Sequence, residues 1–324
     1  MFTKLIRTSV PSNFLFLPIV IITGWWLFFI NMDKIEWLNE KSILLPLLPS
    51  EIFAPPFGGI LAVLFTISTA LIMIPFTAKY FHNSLSNLLP SVLFLILISQ
   101  VQWVFKSGTS SISLFFCLLT MRYVFETYHQ NRVFHYGFMA GFLTSLATLI
   151  YFPSVLFLIV CWTGLILLRS FKLREIIIVI IGFIIPLILT HAFFMIFGNE
   201  QKLYHLIENI LVQTSFKLDD VRQITGSVII GILFLWGFIK AILSGSLKKI
   251  VIRRYFEILT LGFTLYSVAF FLPYGDMGLI SLLILFLSFI IALAITSMRK
   301  PLFASLLILF LILLQIVVQI SFVI

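Results

Sequence analysis

Charge is what this sequence has least of. Asp, Glu, Lys and Arg make up 10% of its 324 residues, against roughly 25% in a soluble domain. That scarcity excludes an ordinary aqueous fold, because too few polar groups remain to cover a water-facing surface. Cysteine is nearly absent as well. Cys117 and Cys161 are the only two, and both lie inside apolar runs. They exclude a disulfide framework and read as small core residues. The centres of the long apolar runs hold no Asp, Glu, Lys or Arg. Proton pathways through a membrane use such groups at a cost of about 2.5 kcal/mol or more each. Their lack argues against a proton-coupled pump and leaves open a transporter that uses backbone carbonyls. No His/Cys/Asp set has metal-ligand spacing. No phosphate loop, dinucleotide glycine pattern or Gly-x-Ser-x-Gly elbow occurs. No metal and no cofactor are expected.

What is present is apolar. Hydrophobic residues make up 61% of the chain, and the mean hydropathy is +1.17. A spanning helix needs about 20 apolar residues. By that measure the sequence predicts an all-α polytopic membrane bundle of eleven spans. They are Phe14–Ile30, Phe57–Phe76, Leu88–Val104, Ser111–Tyr128, Gly137–Phe152, Pro153–Leu168, Ile176–Phe197, Ser227–Ile239, Tyr255–Leu272, Met277–Met298 and Leu302–Ile324. The first has basic residues before it and no small-x-small cleavage site, so it reads as a retained signal anchor. The fifth and sixth form a tight hairpin at "YFPS", where Pro153 suits a helix start. Gly137 and Gly141 make a small-xxx-small pair that lets the fifth span pack closely. Gly182 and Pro186 are expected to bend the seventh.

The basic residues test this map. With the N-terminus inside, fifteen of the 21 Lys and Arg fall in inside loops. Nine of the 12 acids fall outside, and Glu126, Glu175 and Glu257 fall inside. A wrong span count would scramble that alternation, so the positive-inside rule places the C-terminus outside. The net charge of +9 is then topological, with some attraction to anionic lipid. Nucleic acid is not an expected partner.

Two outside loops are long. The first, 31–56, carries Asp33, Glu36, Glu40 and Glu51. The second, 198–226, contains "EQKLYHLIENILVQ". There Leu203, Leu206, Ile207, Ile210 and Leu211 recur at helical spacing, and His205 and Glu208 point away. That pattern predicts an amphipathic helix on the outer membrane surface. Polar residues gather toward the outer helix ends: Gln100, Gln102 and Lys106, then Tyr151, then Thr190 and His191, then Gln315 and Gln319. Together they could line an outward-facing cavity capped by the two loops. Singly, each reads as hydrogen-bonding glue between helices. Asp33 and Glu36 are one turn apart at the end of the first span. A carboxylate there could serve as a general base at the bilayer surface, and Lys106, Lys217 and Arg222 could neutralise a lipid-linked phosphate. The plainer reading is an acidic loop of ordinary outside composition.

The run "GTSSISLFFCLLTMRYVFETYHQNRVFHYGFMAGFLTSLATLIYFPSVLFLIVCWTGLILLRSFKLREIIIVIIGFIIPLIL" resembles a bacterial family of polytopic membrane proteins. More distantly, the layout resembles the GT-C class of membrane glycosyltransferases. Those have eleven or more spans, an inside N-terminus and long outside loops after spans one and seven. The resemblance implies an inner-membrane protein of the cell envelope working on a polyprenyl-phosphate carrier. It implies Asp33 or Glu36 as catalytic base. The first loop here is shorter than in most members and has no adjacent Asp-Glu pair. A relative that kept the scaffold without the catalysis, acting as a subunit of an envelope assembly or secretion complex, is the alternative. An uncoupled transporter or channel is a third.

Overall fold

The structure is a computed structural model. It describes residues 42–44, 57–81, 85, 87–100, 108–128, 130, 133–169, 172–196, 204, 208, 221–243, 250–272, 278–298 and 306–313. The described residues contain helices and no strand. Nine α-helices have defined bounds: α1 Phe57–Tyr80, α2 Leu89–Gln100, α3 Gly108–Glu126, α4 Phe134–Ile150, α5 Phe157–Leu168, α6 Leu173–Ile196, α7 Val221–Leu243, α8 Ile250–Phe271 and α9 Leu279–Thr296. They overlap in sequence with the second to tenth expected spans. Four of them, α1, α3, α6 and α9, are long and apolar enough to cross a membrane. The architecture is an α-helical membrane bundle.

Hydroxyls inside apolar helices are satisfied mostly by their own backbone. Thr66 donates to the Ala62 carbonyl at 2.8 Å, Thr77 to Met73 at 2.7 Å, and Thr148 to Thr144 at 2.8 Å. Thr190, expected as interhelical glue, donates to Pro186 of its own helix at 2.9 Å. Such back-bonds let a hydroxyl sit in a dry interior without an external partner.

The axis of the bundle is α9. It is 94% buried over its spanning window and packs against α2, α3, α7 and α8. An outer layer forms where α4 packs on α6. That crossing is very close. A Cβ on Gly141 would lie 2.1 Å from the Val179 carbonyl oxygen, and one on Gly182 would lie 2.3 Å from that of Phe138. Only glycine permits the two backbones to approach so far. The expected close packing is therefore present at Gly141, with Gly182 as its counterpart, whereas a Cβ on Gly137 would meet ordinary contacts at 3.6 Å. Helix α6 continues unbroken through Pro186.

One end of the bundle gathers ion pairs. Lys79 of α1 pairs with Glu126 of α3. Arg253 and Arg254 both reach Glu257 within α8, at 3.1 and 2.9 Å. Arg169 pairs with Glu175 at 3.3 Å and donates to the Gln130 carbonyl at 2.6 Å. Beneath these pairs an aromatic layer closes the interior. Phe125 stacks on Tyr255 at 4.2 Å, and Tyr80, Phe76 and Phe81 pack around them. Every helix end named here is one that the charge pattern assigned to the inside.

Candidate functional site

The opposite, hairpin end holds Ser42 to Leu44 of the first long loop. Helix α4 ends at Ile150, and a 3₁₀ turn, Phe152–Leu156, carries Pro153 in its first turn. The sequence reason is simple. The Leu149 carbonyl would normally accept from the amide of residue 153, and proline has none. The carbonyl is filled from elsewhere. The amides of Ile43 and Leu44 donate to it, each at 3.0 Å, and the Ser42 hydroxyl lies at 3.4 Å. Ile43 then buries against Leu149 and Phe194, with Leu44, Phe152 and Leu187 around them. The "SIL" of the first loop is thus a strap, fastened to a carbonyl that the hairpin proline leaves open.

The strap brings one expected site residue with it. Leu187 and Phe194 both pack in this cluster. His191 lies between them on the same stripe of α6 and is half-buried. Tyr151 goes elsewhere. Its side chain is wholly buried in the main core, so it faces the bundle interior, apart from His191. Arg222 lies in the first turn of α7. Asp33, Glu36, Gln102, Lys106 and Lys217 lie outside the described residues, as do Gln315 and Gln319. Of the second long loop, residues 221–226 form the start of α7, and before them Tyr204 and Glu208 are described. Tyr204 and Glu208 are both helical and exposed, one turn apart. The apolar side expected there lies outside the described residues.

Beside the strap, the sequence reading passed over a buried polar seam. Thr109, Ser113, Cys117 and Thr120 recur along α3 at helical spacing and are all buried. Ser113 hydrogen-bonds Ser154 of the 3₁₀ turn at 2.5 Å. Thr144 of α4 meets the Cys161 thiol of α5 at 3.5 Å. These two contacts cross between elements. The available signal was the i, i+4, i+8, i+11 spacing on α3, which a search for charged groups does not notice. Among the described residues no group of three His, Cys, Asp or Glu can hold a metal ion.

Comparison with protein-family models, with curated proteins and with solved structures finds no match to this chain. The function therefore has to be argued from the geometry alone.

Proposed function

We propose that this protein works at the hairpin end of the bundle on a polyprenyl-phosphate-linked sugar, as a GT-C-like transferase or as a binder of the carrier. The ion-pair end is then cytoplasmic, and the membrane is the bacterial inner membrane, crossed eleven times. The observation that supports this reading is the strap. An anchored loop can hold a base in one place, which catalysis by positioning requires. Ser42 to Leu44 follow the acidic stretch directly in sequence and are held beside His191.

In the transfer, Asp33, or Glu36 after it, takes the proton of the acceptor hydroxyl. The hydroxyl oxygen attacks the anomeric carbon. The bond to the lipid phosphate breaks, and the phosphate leaves with the electron pair. Lys106, Lys217 and Arg222 offset the charge it carries away. Asp33→Asn keeps the shape and removes the base. It is expected to abolish complementation of a deletion strain while leaving protein abundance unchanged. Full complementation by Asp33→Asn and Glu36→Gln, separately and combined, would sink the transferase.

A second reading is a non-enzymatic subunit of an envelope assembly. It is favoured by the chemistry of the hairpin end. Among the described residues, the polar groups that pack at the strap and the seam are hydroxyls, thiols and one histidine. A scaffold needs no more than that. The same carboxylate variants separate the two readings.

A further inference from the structure

We infer that the seam between α3, α5 and α8 is an internal water site that runs from the hairpin end to mid-bundle. The inference is independent of any transferase or scaffold role.

The seam has one polar wall and two unfilled hydroxyls. On α3, Ser113, Cys117 and Thr120 lie on one stripe, each 1% exposed or less. Over roughly 1.5 Å per residue this polar stripe extends about 10 Å into the bundle. The Cys117 thiol sits beside both Ser113 and Ser154. From α8, Tyr266 enters the same space. It is wholly buried, within electrostatic reach of the thiols of both Cys117 and Cys161. It also faces the Phe157 backbone without closing a hydrogen bond of good geometry. Among the described residues, the Tyr266 hydroxyl has no hydrogen-bond partner, and neither does that of Thr120.

Tyr266 is held in this position. Its ring stacks on Phe286 of α9 with centroids 6.0 Å apart. Phe286 in turn lies against Gly262, one turn before Tyr266, where a Cβ would come within 2.5 Å of the ring. Phe157 also stacks on Phe286, at 5.9 Å. The phenol ring is therefore fixed between its neighbours.

A buried phenol with no partner is costly in a membrane interior, so native structures give such groups one. The ligand class follows from the walls. Among the described residues, the polar side chains named at the seam are neutral: hydroxyls, thiols and a phenol. An ion would have no counter-charge there. Water can donate to sulfur and hydroxyl oxygen and accept from Tyr266, making the two to four bonds a buried water needs. The seam is closed toward the ion-pair end. There Val124 of α3 meets Gly164 of α5, with Ile258 of α8 beside them. Below that lies the Phe125–Tyr255 stack. The polar path is thus one-sided, leading from the Ser113–Ser154 contact and stopping in the middle.

The chain supplies its own reporter, since Cys117 and Cys161 are its only thiols. The full chain is reconstituted in nanodiscs of phosphatidylethanolamine and phosphatidylglycerol and transferred to D2O. The S–H stretch is followed by infrared spectroscopy, with amide exchange of the α9 core as the clock. Water in the seam converts both thiols to S–D long before the α9 amides exchange. An S–H band that lasts as long as those amides means a dry seam and overturns the inference. Tyr266→Phe gives an independent reading. If water bonds the phenol, removing the hydroxyl lowers the melting temperature or leaves it unchanged. If the phenol is a dry orphan, the variant melts higher than the parent, and the inference falls.

Discussion

Arg169 holds three pieces of the chain together at the ion-pair end. It closes α5, reaches Gln130 in the preceding connection, and pairs with Glu175 in the first turn of α6. Both partners are mostly buried, with side-chain exposures of 13% and 9%. Breaking such a pair strands a charge, which costs about 3–5 kcal/mol, while replacing both partners with apolar groups is often neutral. Arg169→Met is therefore expected to destabilise the protein strongly. Adding Glu175→Leu is expected to restore most of the loss. Thermal unfolding of the two variants in detergent measures this, and an undiminished melting point for Arg169→Met would show that the pair is idle. A second residue-scale prediction concerns the strap. Ile43→Asp puts a carboxylate among Leu149 and Phe194, where an unpaired charge is not tolerated. The strap is expected to detach. Limited proteolysis should then cut the first loop faster than in the parent, and unchanged cleavage would mean that the strap does not depend on Ile43.

At the scale of elements, α4 and α6 meet with no room for even one methyl group. Gly141→Ala drives a Cβ into the Val179 carbonyl, and Gly182→Ala into that of Phe138. Backbone cannot rotate away as a side chain can, so each is expected to cost about 1–3 kcal/mol of overpacking. Gly231 of α7 is the control, because a Cβ there meets nothing within 4 Å. Gly231→Ala should be neutral or stabilising by up to about 1 kcal/mol. Equal melting points for all three variants would mean that the close crossing is not formed. This crossing was half legible in the sequence. The Gly137–Gly141 spacing announced a close approach, but nothing in it named α6 as the partner. The hairpin was legible for a local reason, since Pro153 stops one helix and starts the next. The strap was not. Its acceptor is exposed by that same proline, yet its donors come from Ile43 and Leu44, far away in the chain. The Ser113–Ser154 contact was hidden likewise. A period of 3.6 marks a polar stripe, and only the tertiary fold says which element covers it.

For the whole molecule, hydropathy located the helices and was silent on their surroundings. Both α6 and α9 are continuous apolar runs long enough to cross a membrane, yet 22% of the first is buried and 94% of the second. Lipid and protein interior are equally apolar to a side chain, so composition cannot separate them. Charge does better, because it acts at helix ends and on one side. The ends expected inside are brought together by Lys79–Glu126, Arg169–Glu175 and the Tyr80–Phe125–Tyr255 aromatics. This grouping supports a topology that can be read on intact cells. Gln130 and Lys172 are exposed at the ion-pair end, and Tyr204 is exposed in the second long loop. The native thiols are fully buried and so stay silent to a bulky reagent. Gln130→Cys leaves the carbonyl that Arg169 uses, because that contact is to the backbone. Single-cysteine additions at Gln130, Lys172 and Tyr204 are then treated with a membrane-impermeant maleimide after the outer membrane is opened. Tyr204→Cys is expected to react at once. Gln130→Cys and Lys172→Cys should react only after the inner membrane is broken. If Gln130→Cys labels in sealed cells, the ion-pair end faces outward, and the acidic first loop loses its place beside a periplasmic substrate.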